Sequence, residues 1–114
     1  KITEIFKSIE RATAKWIPYW ENNKIIWADN SEIIGSIYLP KNKKNRALVI
    51  LSNRSEKGFM TNLHFDKEKL GFVKPRIRVI DAFHEVNITP EKKDGAYIIQ
   101  FYPQSYRIFE IVNY

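Results

Sequence analysis

The chain has 114 residues, 44% apolar and 14% aromatic, enough for one domain around a single hydrophobic core. It holds no cysteine, which excludes disulfides and thiolate metal sites, and no stretch is long and apolar enough to span a membrane as a helix. Nineteen basic residues against thirteen acidic give a net charge of +6, which would suit an anionic partner if the charge were gathered in one patch.

Residues 2–16 have helical spacing. Ile2, Ile5, Phe6, Ile9, Ala12 and Trp16 fall on one face, and Thr3, Glu4, Lys7, Ser8, Glu10, Arg11 and Lys15 fall elsewhere. Pro18 disfavours helix at Ile17, so a short N-terminal helix is expected to end near Ala14. An isolated helix of that length is marginal in water, so its apolar stripe needs a partner. The chain opens at Lys1 with neither Met nor a signal peptide, and we read it as a segment of a longer protein. Residues 1–15 would be a helix or linker from a preceding domain, and 16–114 a C-terminal domain. The compartment is not legible from such a segment.

After Pro18 the pattern changes to short β-runs. The first covers residues 25–28, and Asp29-Asn30-Ser31 is turn chemistry. The second covers 32–39, with Ile33, Ile37 and Leu39 on one face, Gly35 at a bulge or close contact, and Pro40 as its stop. Residues 47–53 are apolar on both parities, which predicts a central strand covered on both faces. Lys41, Lys43, Lys44 and Arg46 precede it in a loop or turn. Residues 59–65 alternate, with Phe59, Leu63 and Phe65 inward and Asn62 and His64 outward. Asp66 is placed to cap a one-turn helix closing at Gly71.

Residues 74–83 predict a strand whose parity slips, since Ile77 and Val79 share a face and Ile80 opposes them. A bulge or a strand end near Asp81 would account for it. Lys74, Arg76 and Arg78 would line its solvent face. Residues 85–88 are a weak strand. Residues 96–102 alternate, with Tyr97, Ile99 and Phe101 on one face, and 105–112 finish the chain. Seven or eight short strands at this spacing predict an all-β fold, an antiparallel immunoglobulin-like or Greek-key sandwich preceded by the short helix.

Five segments in order carry a family likeness: Leu48-Val49-Ile50-Leu51-Ser52-Asn53, the Asp66 to Gly71 turn, Arg78-Val79-Ile80-Asp81-Ala82, Asp94-Gly95, and the run from Pro103 through Tyr106-Arg107-Ile108-Phe109-Glu110-Ile111. Their succession resembles the C-terminal β-sandwich domains that follow the (β/α)-barrel of many glycoside hydrolases. The stretch Trp16-Ile17-Pro18-Tyr19-Trp20-Glu21-Asn22 is similar to the junction between barrel and sandwich in large bacterial proteins of the glycoside hydrolase 123-like group. The resemblance spans residues 16–112. It implies a sandwich that belongs beside a catalytic barrel. The family's catalytic acids lie in the barrel, so the resemblance carries none onto this chain. A bacterial glycosidase parent would imply a secreted or periplasmic protein.

Chemistry read from the residues agrees. A glycosidase needs two carboxyls flanking one bond, roughly 5–9.5 Å apart. Asp66/Glu68, Glu91/Asp94, Asp29/Glu32 and Asp81/Glu85 all have ordinary roles in turns or at strand ends, so no catalytic residue is expected. His64 and His84 lack metal-ligand spacing, no Gly-x-Ser-x-Gly elbow exists, and four scattered glycines make no phosphate cradle. No metal and no cofactor are expected.

The aromatic group Trp16, Tyr19, Trp20 and Trp27 is the candidate contact site. Indole rings bury large area at domain junctions and also stack on sugar faces. The favoured reading is an anchor on the preceding catalytic domain of the same chain, which makes this segment a noncatalytic accessory domain that stabilises the barrel. The alternative is a carbohydrate-binding module using surface tryptophans. Neither nucleic acid nor a membrane is expected as a partner, because the basic residues are dispersed among separate turns.

Overall fold

The computed structural model describes residues 14–22, 24–40, 45–82, 86–88 and 97–114. Nine strands run through them: β1 (Ala14–Ile17), β2 (Ile26–Ala28), β3 (Ile33–Pro40), β4 (Arg46–Asn53), β5 (Phe59–Phe65), β6 (Ile77–Asp81), β7 (Val86–Ile88), β8 (Tyr97–Phe101) and β9 (Tyr106–Asn113). A single 3-10 turn, Tyr19–Glu21, lies between β1 and β2. The strands form two antiparallel sheets, one of six strands ordered β1-β3-β4-β9-β6-β7 and one of three ordered β2-β5-β8. The chain is therefore the all-β antiparallel sandwich that the spacing of its apolar runs predicts.

Side chains alternate across each strand, so every strand presents one row inward and one outward. Ile37, Val49, Leu51, Val79, Phe109 and Ile111 from the larger sheet meet Ile26, Leu63, Ile99 and Phe101 from the smaller in one core. β4 lies between β3 and β9 and is apolar on both parities. Its second parity is buried too: Leu48 is 5% exposed and packs with Ile108 and Ala82 on the side away from the main core. The expectation of a strand covered on both faces holds.

Loop chemistry closes the ends of the sandwich. Asp66 Oδ1 accepts the backbone N–H of Glu68 and of Lys69, at 3.0 and 3.2 Å. Gly71, at φ +74°, ends that turn, with its N–H on the Glu68 carbonyl and the Phe72 N–H on the Lys67 carbonyl. This is a Schellman pattern, for which glycine is the low-strain residue. The segment is a capped turn, and it places buried Leu70 and Phe72 over the core. At Gly35 a Cβ would lie 2.8 Å from Leu51 Cδ2 and 3.4 Å from Asn22 Nδ2, so the close contact expected there is present.

Two expectations need correction. Ala14–Ile17 is a strand paired with β3, where Ile17 faces Ile37 and is buried. Trp16 therefore does not share a helical stripe with Ile9 and Ala12. Four residues, Ala-Lys-Trp-Ile, are too few to distinguish the two periods, and pairing with β3 decides in favour of strand. The remainder of the expected helix lies outside the described residues. The second correction concerns Lys74, Arg76 and Arg78. β6 begins only at Ile77, so they do not line one strand. Pro75 has no N–H for a ladder, and the Asn113 side chain takes the backbone N–H and C=O of Lys74 instead, both at 2.8 Å. Arg78 lies over the Tyr114 ring at 4.9 Å. The parity slip at Ile80 resolves as the end of β6 at Asp81.

Candidate functional site

The four aromatic residues singled out from the sequence divide between the two outer surfaces of the sandwich. Trp16 lies on β1, one residue before buried Ile17, and pairs in register with Tyr38 of β3 on the outer face of the larger sheet. The two rings stack at 6.3 Å with 17° between planes. The 3-10 turn brings Tyr19 and Trp20 beside them. Trp20 meets Trp16 edge to face at 5.9 Å, and Tyr19 meets Trp20 edge to face at 5.1 Å. Rings buried against a core would be largely covered, but Trp16, Tyr19 and Trp20 are 50%, 47% and 64% exposed.

Asn22 fixes this turn. Its Nδ2 donates to the carbonyls of Ile26 and Gly35 at 2.7 and 3.1 Å, and its Oδ1 accepts from the N–H groups of Ile25 and Ile26, both at 3.0 Å. One side chain thereby joins the turn to both sheets. The aromatic cluster is exposed and held, not trailing from a loose loop.

Trp27 is elsewhere. It follows buried Ile26 on β2, so it stands on the outer face of the three-stranded sheet, on the far side of the core from Trp16. It pairs in register with His64 of β5, and the two rings stack at 5.5 Å with 23° between planes. His64 Nε2 and Asp29 Oδ1 form a hydrogen bond of 2.7 Å, and Asn62 Nδ2 donates to Asp29 Oδ2 at 2.9 Å. The donation from Asn62, followed by that from His64, holds the Asp29 carboxyl below the usual aspartate range. The Asp29 turn is itself fastened to β5: the Asp29 N–H donates to the Asn62 carbonyl at 3.1 Å, and the Asn30 N–H to Thr61 Oγ1 at 3.3 Å. Sequence reading placed His64 outward and Asp29 in a turn, but it missed this group, because the β2–β5 register that joins them is a long-range property.

The described aspartates of the carboxylate pairs considered from the sequence have separate local partners. Asp66 caps a turn and Asp29 is held by Asn62 and His64. Asp81 faces inward, where it is buried and hydrogen-bonded by Arg107 Nη2. Glu85, Glu91, Asp94 and His84 lie outside the described residues. Among the described residues no three His, Cys, Asp or Glu side chains gather where they could hold a metal. In the second aromatic group, Tyr97 is buried in the core as expected, and burial raises its phenol above the usual range, while Tyr102, Tyr106 and Tyr114 are exposed.

No family model matches the chain, and no curated protein matches it. Among solved structures, the fold is similar to part of a chain from Bacillus halodurans C-125 assigned as an alpha-N-acetylgalactosaminidase, with a TM-score of 0.54 and 8% sequence identity. The likeness covers 75% of this chain and 19% of that one. At this identity it establishes a shared fold: the sandwich matches a small portion of a much longer glycosidase chain.

Proposed function

We propose that this chain is a noncatalytic accessory β-sandwich domain of a larger glycoside hydrolase-like protein, packed on the catalytic domain through Trp16, Tyr19 and Trp20. The observation that carries this reading is the exposed edge-to-face cluster, held in place by the four hydrogen bonds of Asn22. Three large aromatic rings fixed at about half exposure or more constitute an apolar surface of the sort that marks a contact site. They also lie on and beside β1, the first described strand. The fold shared with a fraction of a glycosidase chain supports the setting.

The test is a melting experiment on the natural polypeptide that contains this segment. That polypeptide is expected to be several times larger than 13.6 kDa. Trp20→Ala removes an exposed side chain, so it should leave the melting temperature of the 114-residue chain unchanged and lower that of the full polypeptide by roughly 2–4 °C for each kcal/mol of lost contact. Equal melting temperatures for the full polypeptide with and without the substitution refute the anchor role of Trp20.

A further inference from the structure

We propose that the open edge of β8 is a docking site for one extended segment of the larger polypeptide, which pairs with it as a further strand of the three-stranded sheet. The occupant rests on the reading of this chain as part of a longer protein; the edge itself does not.

The direction of the backbone groups on β8 follows from its ladder with β5. In an antiparallel pair the N–H and C=O of one residue point to the same side, and successive residues alternate. The Asn62 carbonyl accepts from the Asp29 N–H on the β2 side at 3.1 Å, so Asn62 points away from β8, and its partner Ile98 points away from β5. Gln100, two residues on, points the same way, and its carbonyl accepts from Arg107 Nη1 at 3.0 Å. The Tyr102 carbonyl, next in the row, is taken by Asn53 Nδ2 and Ser105 Oγ at 3.0 and 2.7 Å. Among the described residues nothing bonds the N–H and C=O of Ile98 or the N–H of Gln100. Those groups are the hydrogen-bonding set that an added strand uses.

Natural sheets guard such edges with charged side chains, proline or a bulge. Tyr97-Ile98-Ile99-Gln100-Phe101 has none of these: it is uncharged, lacks proline and keeps a continuous register with β5. Arg107 holds a single carbonyl of it.

The larger sheet decides the size of the occupant. Asn22 bonds the carbonyls of Ile26 and Gly35 and so fastens β2 over β3, and Arg107 fastens β8 over β9. The small sheet therefore covers β3, β4 and β9, while β6 and β7 continue past the β8 edge. A second copy of this sandwich cannot pair there, because its own larger sheet would have to occupy the place of β6 and β7. A lone extended strand brings no second layer. Buried Asp81 of β6, bonded by Arg107, faces into the sandwich beside that edge, so a charge on the inward side of the occupant would be buried next to a pair that already satisfies itself. The occupant is an extended stretch with uncharged residues on its inward parity.

Amide hydrogen exchange tests the proposal. In the 114-residue chain, followed by NMR, the amides of Tyr97, Ile99 and Phe101 point to β5 and should exchange slowly, whereas those of Ile98 and Gln100 should exchange fast. In the natural polypeptide, followed by residue-resolved mass spectrometry, Ile98 and Gln100 should slow by about tenfold or more. Gln100→Pro removes an N–H that β5 does not use, so the 114-residue chain should keep its melting temperature, and Ile98 in the substituted natural polypeptide should return to fast exchange. Trp20→Ala should leave the slowed exchange in place, so failure of the aromatic anchor and failure of strand docking read separately. Equal exchange rates at Ile98 and Gln100 in the two unsubstituted chains overturn the proposal. So do rates that are already slow in the 114-residue chain, which would mean that the chain covers this edge itself.

Discussion

The two outer faces of this sandwich share a core but differ in chemistry. The outer face of the six-stranded sheet is apolar at its centre, through Leu48, Ile50 and Ile108, and aromatic at its β1 end, through Trp16 and Tyr38. The outer face of the three-stranded sheet carries Asn62, His64 and Gln100, with Trp27 the large ring among them. The contrast is written in two strands. β4, Arg-Ala-Leu-Val-Ile-Leu-Ser-Asn, is apolar on both parities and is stable only when covered twice. β5, Phe-Met-Thr-Asn-Leu-His-Phe, alternates and tolerates water on one side. A sandwich fold fixes which residues face inward. The outward parity of each strand remains free, and here it is apolar at the centre of one sheet and carries polar side chains beside Trp27 on the other.

The largest effect is expected where the two sheets are joined. Arg107 of β9 hydrogen-bonds buried Asp81 through Nη2 and donates from Nη1 to the Gln100 carbonyl of β8 at 3.0 Å, reaching from one sheet to the other. Arg107→Met keeps the length of the side chain but removes the guanidinium from a buried carboxylate. Loss of one partner of a buried ion pair costs about 3–5 kcal/mol, and the partial exposure of Arg107 puts the expected value near the lower end. Urea denaturation should show the loss as a shifted midpoint at nearly constant slope. A cost below about 1 kcal/mol would mean that the pair is no more than a surface contact.

The second prediction compares the outer faces directly. Ile108 is 1% exposed although it points away from the main core, while Ile98, on the outer face of the small sheet, is only half-buried. Ile108→Ala should cost about 3 kcal/mol, as in a core, through lost transfer energy and the cavity left behind. Ile98→Ala should cost about 1 kcal/mol, since water reaches the site and little cavity remains. Equal costs in urea denaturation would erase the distinction drawn between the faces.

The difference between the faces was partly legible in the sequence. The strands themselves were, because period-2 alternation and turn residues mark them: Tyr97, Ile99 and Phe101 face inward as read, and β4 is doubly covered as read. Cross-strand partners were not, because register is set by the whole sheet. Trp16 meets Tyr38, and Trp27 meets His64, across 22 and 37 residues of sequence (38 − 16 and 64 − 27). Trp16, Tyr19, Trp20 and Trp27 lie within twelve residues and look like one cluster. The chain changes sheets between β1 and β2, and that crossing separates them. Lys74 reads as strand because its spacing fits, yet the Asn113 side chain, distant in sequence, takes its backbone groups, while Arg76 exchanges both backbone hydrogen bonds with Tyr114 just before β6.

The smallest expected effect tests whether the polar face is as ordered as its geometry implies. The Asp29 carboxyl is held below the usual aspartate range, first by Asn62 and then by His64. A carboxyl whose value is depressed in the folded state stabilises the fold fully at pH above its unfolded value. That contribution is lost as pH falls through the folded value. Stability of the 114-residue chain should therefore have a shallow acid limb attributable to Asp29, and Asp29→Asn should remove that limb, with its small loss of stability seen near neutral pH and none at acid pH. Asn62→Ala should raise the Asp29 titration, followed by NMR at its Cγ, back toward the usual range, and His64→Ala should do the same. Since the group is open to solvent, the effect on folding is small, but the titration itself is a sensitive gauge of the two hydrogen bonds. An Asp29 that titrates like an aspartate in an unfolded peptide would mean that Asn62 and His64 do not hold it in solution. The three-stranded sheet would then present a loosely solvated surface instead of an ordered polar group beside Trp27.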